Sequence, residues 1–64
     1  MSLYDYEESK RVAAGDVPFY ALIMAAMRRA DSFNLHMLQA AFPDVWDEVQ
    51  ARYNAQGGRL ESDQ

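Results

Sequence analysis

Apolar residues recur along the chain at spacings of three and four, and the pattern breaks where glycine, proline or an acidic residue intervenes. That period belongs to amphipathic helices. Alternating β-branched residues, the mark of a strand, are missing, and alanine, leucine, methionine, glutamine and arginine favour helix. Four helical segments follow. In the first, about 3–14, Leu3, Tyr6, Ala13 and Ala14 share a stripe with the stem of Lys10 between them. Asp5, Glu7 and Glu8 crowd its amino end, where the helix dipole favours negative charge, and Gly15 ends it.

The second segment lies in "VPFYALIMAAMRR", with Pro18 suited to the first turn and Asp16 or Val17 to the cap. On a helical wheel Phe19, Ile23, Ala26, Met27 and Ala30 form one arc, which Leu22, Tyr20 and Met24 widen to roughly 200°. Ala21, Ala25 and Arg28 make up the other side. An arc so wide needs neighbours on two sides. Residues 18–30 are therefore expected to form the central helix, with Phe19, Ile23 and Met27 covered.

After a very short turn, Asp31 or Ser32 caps a third helix over 33–41. It carries two apolar patches: Phe33, Met37, Ala40 and Ala41 on one side, Leu35, Leu38 and Phe42 on another. Phe42 precedes a proline and is biased away from helical backbone, so that helix stops there and Pro43 opens a fourth. Val45, Trp46, Val49 and Tyr53 give the fourth an apolar stripe, and Glu48 and Arg52 form a favourable pair one turn apart. Gly57 and Gly58 end it. The pattern predicts an all-α fold, a compact array of three to four short helices around the central apolar helix 18–30. Residues 1–58 form a single helical domain, and 59–64 are expected to be a disordered tail. A three-helix core with a loose first arm fits the same pattern.

Size limits the interior. A chain of 64 residues and 7.3 kDa has a folded surface of roughly 4,200 Å² and buries only about 60 % of what it exposes unfolded. An oligomer that covers more apolar area would help such a chain. Half the residues are hydrophobic, too many for intrinsic disorder. The absence of cysteine removes disulfides and thiolate metal sites, and a net charge of −4 argues against nucleic acid and anionic lipid as partners. The amino-terminal "MSLYDYEES" is acidic where a signal peptide needs basic residues, and the apolar run 17–27 is too short to span a bilayer. A cytoplasmic protein without membrane contact is expected.

"FYALIMAAMRRAD", "AAFPDVWDEVQARYNA" and the closing "GG" resemble small helical proteins of unassigned function from actinobacteria and their bacteriophages. The likeness covers roughly 8–58. Gln56 stands where that family's pattern has proline, but both glycines remain. The resemblance implies a cytoplasmic accessory protein of phage type and transfers no activity, cofactor or catalytic residue.

The chemistry in the chain is sparse. His36 is the only histidine, and its helical neighbours Ser32, Phe33, Gln39 and Ala40 complete no metal site or catalytic pair. There is no phosphate loop, HExxH or serine elbow. The acids Asp44, Asp47 and Glu48 suit a first helical turn; a role in occupying a partner's basic groove is the more specialised reading. No enzyme, cofactor or metal is expected. The function that fits is a helical protein-interaction module, self-associating as a homodimer or docking on a protein partner. Its candidate contacts are the small-residue strip Ala21 and Ala25 and the aromatic edge Tyr4, Trp46 and Tyr53. The alternative is a helix-turn-helix-like DNA-binding protein reading bases through Asn34, His36 and Gln39, although that helix has no lysine or arginine for phosphates.

Overall fold

The structure, a computed structural model, describes residues 1–63. Gln64, part of the expected tail, lies outside the described residues. Those described form four α-helices, α1 (Leu3–Ala14), α2 (Phe19–Arg29), α3 (Ser32–Ala41) and α4 (Pro43–Tyr53), then two short 3-10 turns at Gln56–Gly58 and Glu61–Asp63. Among them is no strand, and no helix is long and apolar enough to cross a membrane.

Local chemistry sets each boundary. The Ser2 hydroxyl accepts the Asp5 backbone N–H at 3.2 Å and caps α1. Gly15 closes that helix with φ −79°, its N–H bonded to the Val12 carbonyl at 3.1 Å, so the stop uses no left-handed backbone. Pro18 caps α2 in extended conformation, one residue later than expected, and the Leu22 N–H bonds its carbonyl. Asp31 is the cap of α3: its carboxylate accepts the Asn34 N–H at 2.8 Å. Phe42, at φ −133° and ψ 63°, separates α3 from α4 as a residue before proline should.

The hub differs from expectation. α4 packs against α2, α3 and the turn at Gln56–Gly58, whereas α2 packs against α4. The wide apolar arc of α2 is only partly used. Met27 is 4 % exposed and is the only fully buried hydrophobic residue among those described; Leu22, Ile23 and Met24 are half-buried, but Phe19 stays 58 % exposed. α2 is thus not a central helix covered on two sides. Three short neighbours cannot surround it, and α4, with Val45, Trp46 and Val49 half-buried, takes the middle.

α1 is the loose arm of the second arrangement: it shares extended packing with no other element. Its ion pairs, Lys10 with Glu7 at 3.1 Å and Arg11 with Glu8 at 2.9 Å, lie within the helix itself. The array is therefore open where a compact one was expected. Its radius of gyration is 13.6 Å, against about 10.7 Å for a compact domain of this length.

The expected disordered tail is not confirmed for Arg59–Asp63. Gly57 and Gly58 adopt φ of +62° and +70°, the left-handed region that glycine enters without strain, and turn the chain back along α4. Arg52 then grips the Asp63 carboxylate with two nitrogens at 2.7 Å each and donates to the Gly58 carbonyl at 2.8 Å. The Leu60 N–H donates to the same carboxylate at 3.0 Å.

Candidate functional site

The crossing of α2 and α4 produces a cleft. Met27 and Arg28 from α2 meet Trp46, Val49 and Tyr53 from α4 around a space of about 480 Å³. Trp46 is half-buried there and Tyr53 is 81 % exposed. This pairing puts Trp46 and Tyr53, two of the candidate contacts, on one surface. Tyr4 is 71 % exposed on the detached α1 and joins neither of them. Ala21 and Ala25 are exposed on α2 and line neither cleft. The expected strip is open to solvent, but the structure does not unite it with the aromatic edge.

The second cleft lies at the junction of α2 and α3 and encloses about 530 Å³. Ala26 and Ala30 form one wall, Met37, Leu38 and Ala41 the other, with Arg29 among the lining residues. Sequence reasoning did not single it out. A signal was present, because the two apolar patches on α3 exceed what one neighbour can cover. The structure uses Leu35, Leu38 and Phe42, all half-buried, and leaves Phe33 74 % and Met37 55 % exposed. Small side chains in the walls leave room for another helix to approach closely.

An aromatic group flanks the outer edge of α2. The Phe19 ring lies 5.2 Å from Tyr20 and 6.3 Å from Phe42, edge to face in both pairs. These contacts tie the start of α2 to the α3–α4 corner while leaving much of both Phe19 and Tyr20 in solvent.

The shifted titrations belong to exposed ion pairs. Hydrogen bonds from Arg52, then the Leu60 N–H, hold the Asp63 carboxyl well below the usual carboxylate range, and Asp63 and Glu48 together push Arg52 up. Arg11 likewise lowers Glu8. Both arrangements stabilise the charged forms, which suits a clasp and a helix surface better than proton transfer. Among the described residues no three His, Cys, Asp or Glu side chains cluster to hold a metal ion. Asn34 and His36 are exposed, Asn34 at the lining of the second cleft, and Gln39 is half-buried.

Comparison with known proteins finds no matching family model, no matching curated protein and no matching solved structure.

Proposed function

We propose that the chain is a non-enzymatic helical interaction module that associates with itself, or docks on a protein partner, through apolar surface its own fold leaves uncovered. One observation carries this reading. Met27 alone among the described hydrophobic residues is fully buried, while eleven large ones are exposed, among them Leu3, Tyr6, Phe19, Phe33 and Tyr53. The accessible surface is 5,644 Å², about 1,400 Å² above the ~4,200 Å² of a compact monomer of this mass. An ordinary protein–protein interface removes about 800 Å² from each partner, so the excess is of the size that association covers.

The resemblance adds a setting: a cytoplasmic accessory protein of phage type. Sedimentation equilibrium from low to high micromolar concentration tests self-association. A mass rising to a multiple of the 7.3 kDa chain is expected; a strict monomer throughout that range overturns it.

A further inference from the structure

We infer that two copies of the chain form a reciprocal dimer in which α1 of each lies in the α2–α3 cleft of the other. The inference deepens the self-association reading above and rests on it. Four features of the molecule carry it.

The first is that α1 has an apolar stripe and nothing to lay it on. Leu3 is 73 % and Tyr6 61 % exposed, and the helix packs extensively on no other element. Twelve residues are at the lower limit for a helix standing alone in water. The second is fit. From the rise per residue of a helix, the stretch of α3 that lines the cleft, Asn34 to Ala41, spans about 11 Å, room for about two turns of the ~18 Å α1. Alanines at 26, 30 and 41 let a helix approach, and the exposed flank of Met37 offers it apolar contact.

Charge is the third. α1 brings Asp5 beside Glu7 and Glu8, the latter two already paired with Lys10 and Arg11, whereas the α2 wall of the cleft presents Arg29, which forms no ion pair among the described residues. The fourth is the connector. Gly15 (φ −79°, ψ 176°) and Pro18 (φ −61°, ψ 151°) are extended, and Val17, placed before proline, is biased the same way. The connector bends at Gly15 and Asp16 before this extended stretch, and α1 beyond it has no extended packing on its own body, which leaves its stripe free for the cleft of a second copy. The excess surface of each chain is more than one side of an ordinary dimer interface buries. Two identical chains that exchange α1 close the assembly about a two-fold axis.

The absence of native cysteine gives a clean test. A Tyr6→Cys chain mixed with a Met37→Cys chain should cross-link under mild oxidation to twice the chain mass, faster than the same Tyr6→Cys chain mixed with Ala21→Cys, an exposed position outside both clefts. A rate no higher than with Ala21→Cys overturns the exchange. So does the double variant Tyr6→Cys/Met37→Cys if it closes within a single chain, since α1 would then fill its own cleft. As an independent measurement, Leu3→Glu/Tyr6→Glu should raise the dimer Kd by roughly 30-fold or more, the scale of losing interface anchors, with the secondary structure of α2 to α4 retained. If the unmodified chain is a dimer and neither measurement responds, the exchange fails while the interaction reading stands. If the unmodified chain is monomeric, the self-association reading itself fails.

Discussion

Met27 has a role out of proportion to its size. It is the one fully buried hydrophobic side chain among the described residues, set where α2 crosses α4. Truncation there removes transfer energy and leaves a void that few neighbours can fill. Met27→Ala is expected to cost about 2–3 kcal/mol, a large fraction of the stability open to so small a domain, and Met27→Leu less than about 1.5 kcal/mol because volume is kept. Thermal unfolding followed by circular dichroism measures both. Phe19 shows why the burial of single residues was harder to foresee. It shares an arc with Met27 on the wheel, yet it stands in the first turn, where α4 reaches it only through the Phe42 ring. A wheel gives direction around the axis; position along the axis decided which of the two was covered.

At the scale of elements, the clasp between Arg52 and Asp63 organises the end of the chain. Asp63 titrates below its unfolded value because its charged form accepts from Arg52 and from the Leu60 N–H. The contribution of the clasp is therefore fully present above about pH 4, the ordinary carboxylate value, declines below it, and is lost as the pH falls through the depressed value of the folded Asp63. The Leu60 amide resonance should drift toward its unstructured position below that pH. In Asp63→Asn it should sit near that position at every pH, while the α2 and α4 resonances stay in place. A Leu60 resonance unaffected by either change would show that the folded-back segment is held by other contacts. All four helices, the cap at Asp31 and the start at Pro43 were legible, because capping, proline and the 3.6-residue period act locally. The folded-back end was not legible: it depends on two glycines and a carboxylate meeting an arginine eleven residues away. Nor was the hub, since α4 gained that place from packing on α2 and α3. Of the candidate contacts, Trp46 and Tyr53 stand about two turns apart on a single helix. The α2–α3 cleft arises from an interhelical angle that no single-helix pattern contains.

For the whole molecule, extent and exposure tell the same story. Dimensions of 41 × 28 × 17 Å describe an elongated body, and α1, with its stripe of Leu3 and Tyr6, lacks a partner element within the chain. Helix formation in a segment of twelve residues is cooperative and, without tertiary support, barely favourable. If a second copy supplies that support, the order of α1 becomes a function of concentration, by the mass action that couples binding to folding. Far-ultraviolet ellipticity per residue should then decline as the protein is diluted through its dimer Kd, and the deficit should match one helix of the four. A signal that stays constant through dissociation would mean α1 holds its shape unaided. For this arm, adding buffer would act as a denaturant does, with no change in temperature, pH or solvent.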